Sequence, residues 1–205
     1  MEAVAKFLSI LLIPLLIPVY LSGIVMCYFP QLSNIFSVHV KWIVVLVVFV
    51  FTVLLPFTAV FLLYKFKVIS SLDLYKRKDR YIPQLFSCFS YGTAMAYFIY
   101  RLGWANVFSL ALIANTISAI AITIITHFWK ISTHSSGAIG LLAILSMICL
   151  KYPGRGLVVP YLVVFVLCVG VCFARKILNA HTTGQIIAGG LLGLVIGVGV
   201  FWFLK

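Results

Sequence analysis

The chain has 205 residues, of which 64% are hydrophobic and 9% charged, with 15 basic residues against 3 acidic ones and a formal charge of +12. A soluble domain of this size requires far more polar surface than that, so the composition excludes a soluble globular protein and indicates an integral membrane one. The positive charge borders hydrophobic stretches, which points to lipid headgroups or an anionic substrate and away from nucleic acid.

Seven stretches contain no Asp, Glu, Lys or Arg, at roughly 7–29, 42–64, 84–100, 103–126, 136–150, 157–173 and 184–204. They predict an all-α, polytopic transmembrane bundle of about six or seven helices, in a single domain over residues 1–205. A span takes about 20 apolar residues, within about 17 to 25. The shortest stretches therefore cross only by extending into the polar segments beside them, where protein surrounds the backbone. In the first stretch Lys6 precedes an apolar run that continues to Phe29 without a small-residue cleavage pattern. It is expected to stay as the first helix rather than to be removed as a signal peptide, and Pro14 and Pro18 are expected to bend it. Cys27, Cys88, Cys149, Cys168 and Cys172 show no metal-ligand spacing and read as small buried apolar residues. In the last stretch Gly189, Gly193 and Gly197 recur every four residues, a spacing that lets a second helix approach closely in lipid.

Three polar islands, residues 65–80, 127–136 and 175–185, hold most of the basic residues and three of the four histidines. Two spans separate consecutive islands, so all three return to one face of the membrane. Alternating spans put ten basic residues, Lys6 and the nine of the islands, on that face and leave five, Lys41, Arg101, Lys151, Arg155 and Lys205, on the other. That excess would place the islands in the cytoplasm by the positive-inside rule. Cations that hold a substrate anion carry no topological signal, however, so sidedness stays open.

In the third island Arg175 and His181 are separated by five residues, and Thr182, Thr183 and Gly184 lead into the last helix. Gln185 stands four positions after His181, on the same face if the helix has begun. Its oxygen can accept the Nδ1 proton and leave Nε2 free to attack. The plainer alternative is an interfacial histidine beside an arginine that binds headgroups. In the second island Ser132, Thr133, His134, Ser135 and Ser136 precede Gly137 and an apolar helix. Helix-start amides and hydroxyls suit phosphate oxygens, and a histidine among them can donate a proton; alternatively, the serines only cap the helix. The first island offers Lys76, Arg77, Lys78, Asp79 and Arg80, about a turn before Pro83. Arg77 and Arg80, three apart, can share a helical face, or the cluster can simply hold anionic lipid.

In order and orientation these segments resemble the type 2 phosphatidic acid phosphatase superfamily, over roughly residues 76–200. That family's second motif, Ser-Gly-His, is matched by Ser132, Thr133 and His134, and its third, Arg, five residues, His, by Arg175 through His181. The resemblance implies that His181 is the nucleophile and takes the phosphoryl group as a phosphohistidine. It implies that His134 protonates the leaving alcohol, that Arg175 and Ser132 bind phosphate oxygens, and that water hydrolyses the intermediate. Three departures accompany it. Thr133 replaces a glycine, putting a Cβ where backbone approaches phosphate. Gln185 replaces the aspartate four residues past the histidine, so the imidazolium lacks a charged partner. In the first motif, Lys, six residues, Arg-Pro, alignment on Pro83 puts Ile82 at the arginine and Tyr75 at the lysine, so Arg77 and Arg80 are expected to supply the charge instead.

Glu2, Asp73 and Asp79 are the only acidic residues, too few to hold the divalent ions of a metal-assisted phosphatase. No metal and no cofactor is expected; positioned cations and a histidine nucleophile are the available route to phosphoryl transfer. The expectation is an enzyme of a bacterial cytoplasmic membrane, a phosphoric monoester hydrolase acting on a lipid phosphate or diphosphate. Phosphatidic acid, phosphatidylglycerophosphate, lipid A phosphates and polyprenyl diphosphate are all candidates. Membrane lipids surround it, and it has no nucleic-acid partner. The alternative is a non-catalytic protein that binds anionic lipid, or serves assembly, on a degenerate phosphatase scaffold. A transporter is disfavoured because no ionisable residue lies within an apolar span.

Overall fold

The computed structural model describes residues 1–72, 74 and 77–204, the side chain of Arg155 excepted. Asp73, Tyr75, Lys76 and Lys205 therefore lie outside the described residues. Among the described residues, six helical segments are long and apolar enough to cross a membrane: Glu2–Tyr28, Val38–Lys65, Val107–Phe128, Thr133–Lys151, Val158–Ile177 and Thr183–Phe201. A seventh long helix, Arg77–Leu102, carries charge in its first turn. The chain is an all-α integral membrane protein.

The first span is broken rather than bent. Helix α1 (Glu2–Leu11) ends ahead of a 3₁₀ turn at Pro14–Leu16, and α2 (Ile17–Tyr28) follows. Pro14 has no N–H to continue the ladder and its ring crowds the preceding turn. Pro18 falls in the first turn of α2, where no intrahelical donor is required. One carbonyl freed at the break, that of Leu11, accepts the Tyr20 hydroxyl at 2.6 Å. A short α3 (Pro30–Ser33) leads to α4 (Val38–Phe49), a π-helical turn at Val50–Leu54, and α5 (Leu55–Lys65). Pro56 offers no N–H to the Thr52 carbonyl four residues back. That carbonyl instead accepts the Tyr91 hydroxyl at 3.4 Å, and the Phe51 carbonyl accepts Ser90 Oγ at 2.5 Å, which ties the span to α6 (Arg77–Leu102).

Helix α7 (Val107–Phe128) starts at Asn106, whose side chain accepts the Phe108 amide at 3.0 Å. Helices α8 (Thr133–Lys151), α9 (Val158–Ile177) and α10 (Thr183–Phe201) complete the chain. The sequence stretches at 84–100 and 136–150 are extended toward the islands, to Arg77 and Thr133. The glycine stripe seats α10 on α8. A Cβ on Gly189 would strike the Ser132 carbonyl and the Ser135 hydroxyl. One on Gly193 would overlap the Ser136 carbonyl, and one on Gly197 would lie 3.0 Å from the Gly140 carbonyl. Backbone therefore meets backbone along this interface, as small residues permit in lipid.

The three islands occupy one end of the bundle. Arg77 Nη1 donates to the Phe128 carbonyl at 2.8 Å, and the Ser132 amide donates to the Gln185 carbonyl at 3.2 Å, so the first island is joined to the second and the second to the third. At the other end Lys151 Nζ donates to the Leu204 carbonyl, and Trp104 stacks near Phe203. Large apolar side chains such as Trp42, Phe89, Val166 and Val195 are exposed on the flanks, where lipid would cover them. Cys168 is buried as the sequence implies, but Cys27 is exposed at the end of α2; facing lipid, an apolar thiol needs no protein cover.

Candidate active site

The five residues between Arg175 and His181 form the turn that brings one back to the other. Helix α9 ends just after Arg175, and Asn179 adopts a left-handed conformation at φ 50°, a role asparagine tolerates at helix ends. The Ala180 amide then donates to the Arg175 carbonyl at 3.2 Å. Thr182 caps α10 in a reciprocal arrangement: the Gln185 amide donates to Thr182 Oγ1 at 3.4 Å, and the Thr182 amide donates to Gln185 Oε1 at 3.2 Å.

The same Oε1 lies 3.1 Å from His181 Nδ1. Because the Thr182 amide can only donate, the Gln185 atom it meets is the oxygen and not the nitrogen. His181 Nδ1 must then carry the proton, and Nε2 holds the free lone pair. His181 is 6% exposed. Burial pushes its pKa down to about 4, against the pull of the Gln185 bond and with further depression from Arg80, Arg175 and Lys130. The ring is therefore neutral at pH 7, the state a nucleophilic imidazole requires.

Ser132 caps α8, its hydroxyl accepting the Ser135 amide at 3.3 Å while its carbonyl accepts Ser135 Oγ at 3.1 Å. The capping alternative is thus realised, and Ser132 is fully buried, with Gly189 of α10 against its carbonyl. The first-turn amides of α8 that follow it have no intrahelical acceptors and carry the positive end of the helix dipole. His134, in that turn, places Nε2 3.1 Å from the Ser9 carbonyl of α1. A carbonyl only accepts, so His134 keeps its proton on Nε2 and its lone pair on Nδ1.

The first island divides its two arginines. Arg77 is exposed and its guanidinium is engaged by the Phe128 carbonyl. Arg80 turns inward; its Nε donates to the Leu74 carbonyl at 2.8 Å, and its charge acts on both histidines and on Lys130. The two do not form the paired face that their spacing allows. Lys130, between α7 and α8, joins the group without having been picked out by any motif. Burial, followed by the charges of Arg80 and Arg175, lowers its pKa.

Arg80, Lys130, His134, Arg175 and His181 thus share one electrostatic neighbourhood, drawn from all three islands. Arg175 Nε is buried and makes no hydrogen bond among the described residues. A buried guanidinium N–H without an acceptor is costly, and a tetrahedral oxyanion held among these cations would supply one. The group can neutralise a doubly charged anion while presenting a neutral imidazole lone pair to it.

A family model described as the PAP2 superfamily matches residues 125–205. The matched segment starts in the last turn of α7 and holds Lys130, Ser132, His134, Arg175, His181 and Gln185, while Arg77 and Arg80 precede it. Comparison with curated proteins and with solved structures gave no match.

Proposed function

We propose that this chain, whose residues 125–205 match the model of the PAP2 superfamily, is a membrane phosphatase that hydrolyses the phosphate ester of a membrane lipid through a phosphohistidine on His181. The observation that carries the reading is the double acceptor role of Gln185 Oε1, which leaves His181 Nε2 unprotonated in the field of Arg175, whose Nε makes no hydrogen bond among the described residues. In this reading Nε2 attacks phosphorus as the bond to the lipid oxygen breaks. The dianionic phosphate favours a second proton on His134, at Nδ1, and the imidazolium then gives its Nε2 proton to that oxygen, the Ser9 carbonyl holding the proton in place until the leaving oxygen competes for it. Water then attacks the phosphohistidine, returns a proton to His134 and releases inorganic phosphate. Arg175, Arg80 and Lys130 offset the charge on the phosphoryl oxygens, and α8 amides behind the Ser132 cap complete the cradle. Electrostatic preorganisation of this kind is the main resource of phosphoryl-transfer sites.

No step calls for a metal or a cofactor. Gln185 fixes the tautomer without adding negative charge, so the imidazolium formed during attack is stabilised by a neutral dipole alone. The enzyme works at the interface of a bacterial cytoplasmic membrane in this reading, and the lipid tail remains among the helices. The test is phosphate release from a panel of lipid phosphates by detergent-purified protein in the presence of chelator. Release that survives chelation and is lost in both His181→Ala and His134→Ala agrees with the reading. Variants equal to wild type would refute the residue assignment, and no release from any lipid would favour a lipid-binding scaffold.

A further inference from the structure

The acceptor that holds the His134 proton lies far ahead of the matched segment, and a proline sets it free. In an uninterrupted α1 the Ser9 carbonyl would accept the Ile13 amide, and the Ile10 carbonyl would accept that of residue 14. Pro14 has no amide to give, and its ring pushes the preceding residue out of the helical region. Ile13 is accordingly extended, at φ −60° and ψ 133°. Its amide turns to the Ile10 carbonyl at 3.3 Å, whereas the Leu12 amide keeps its normal acceptor, the Leu8 carbonyl, at 3.0 Å. The Ser9 carbonyl thereby loses its intrahelical donor, and His134 Nε2 takes that place at 3.1 Å. The proline marks a freed carbonyl in the sequence but not its taker.

The break is held against the site from two sides. Ala5 and Ser9, one turn apart, are the buried residues of α1. A Cβ on Gly170 of α9 would lie 3.4 Å from the Leu8 side chain, and one on Gly137 of α8 would lie 3.2 Å from Ile17 and 3.8 Å from Pro14. The break therefore rests on the helices that carry Arg175 and His134, and Gly137 follows His134 by less than one turn. A buried carbonyl without a donor is costly in lipid, so the ring and the break stabilise each other. The bond strengthens when the ring gains its second proton, since charge-assisted hydrogen bonds exceed neutral ones.

We infer that Pro14 is a positioning residue for the proposed reaction: by interrupting the first span it turns the Ser9 carbonyl onto His134 and so orients the ring that protonates the leaving oxygen. The inference rests on the phosphatase reading for the role of His134, and it extends the site to α1, outside residues 125–205. Pro18 has no such part, because the carbonyl four residues before it, that of Pro14, already accepts the Ile17 amide.

The test measures phosphate release by detergent-purified wild type, Pro14→Ala and Pro18→Ala on dodecyl phosphate and on para-dodecylphenyl phosphate. The Pro14→Ala variant regains the amide and frees Ile13 to be helical, so the Ser9 carbonyl returns to its own helix. An alkoxide must be protonated as it leaves, whereas a phenoxide leaves with little help. In Pro14→Ala, kcat/KM on the alkyl phosphate is expected to fall at least about tenfold, within the roughly 100- to 10,000-fold that a general acid supplies, and on the aryl phosphate to stay within about twofold. Pro18→Ala should match wild type on both. Nitrogen NMR of labelled histidine, assigned against His134→Ala, reads the ring directly: a fixed Nε2–H tautomer in wild type and mixed tautomers in Pro14→Ala. Equal loss on the two esters, no loss on the alkyl phosphate, a Pro18→Ala that loses as much as Pro14→Ala, or an unchanged His134 tautomer in Pro14→Ala would overturn the inference. If wild type releases phosphate from neither ester, the phosphatase reading fails, and the NMR comparison alone decides whether Pro14 places the ring.

Discussion

Replacing Gln185 tests the geometry at its most exacting point. One oxygen accepts both the Thr182 amide and His181 Nδ1, at 3.2 and 3.1 Å. Gln185→Leu removes that acceptor while keeping bulk in the first turn of α10. The bond matters most as the imidazole gains positive charge, and hydrogen bonds to charged groups are worth about 1.5–3 kcal/mol. At about 1.36 kcal/mol per decade, kcat is expected to fall about 10- to 150-fold, with KM moving less. Gln185→Glu keeps an oxygen in place and adds the negative charge. An opposite charge favours the protonated ring, so the His181 pKa should rise from about 4. The imidazole is active when neutral, so the acid limb of the kcat/KM profile should move to higher pH in Gln185→Glu, and kcat on the plateau should hold or increase. Steady-state phosphate release across pH, with His181 followed by NMR, reads both effects. Gln185→Leu within twofold of wild type, or a Gln185→Glu profile that overlays wild type, would refute the tautomer argument.

Arg80→Ala is expected to lower kcat/KM at least about a hundredfold, by loss of a charge-assisted contact in a dry site. Arg77→Ala, which removes an exposed guanidinium and its bond to the Phe128 carbonyl, should stay within about fivefold, because solvent and salt screen a charge at an exposed position; comparing the two variants on one lipid substrate checks the division. Gly193→Val places a side chain against the Ser136 carbonyl and the Gly140 amide, so it should lower the thermal midpoint in detergent and lose activity, whereas Gly199→Val, with open space at its Cβ, should do neither. Lys130→Met should weaken substrate binding and raise the His181 pKa, since it removes a positive charge that depresses it; NMR titration of the ring gives the sign.

The spans were legible because lipid leaves no latitude: an apolar run either crosses or is buried, and the charges mark its ends. Pro14 likewise announces a break through its missing donor, though whether it bends or interrupts the helix depends on what donates to the freed carbonyls, and here the Tyr20 hydroxyl does. The link from Gln185 to His181 follows from a spacing of four residues at a helix start. The Ser9 carbonyl on His134 does not, since a backbone acceptor 125 residues away has no signature in side chains. Lys130 escaped notice for a related reason, because it belongs to no motif and gains meaning only once α7 and α8 converge. Arg77 and Arg80 show the limit of periodicity: three residues apart on a helix, they diverge because the Phe128 carbonyl captures one and the Leu74 carbonyl orients the other.

The central claim is that His181 Nε2 becomes covalently bonded to phosphorus. Rapid mixing of wild-type protein with a lipid carrying labelled phosphate, quenching in denaturant at alkaline pH within the first turnover, and peptide mapping tests this directly. The account predicts an acid-labile, alkali-stable label on His181 that decays as inorganic phosphate appears and that is absent from His181→Ala. Phosphate release without any such label, or a label on another residue, would contradict it.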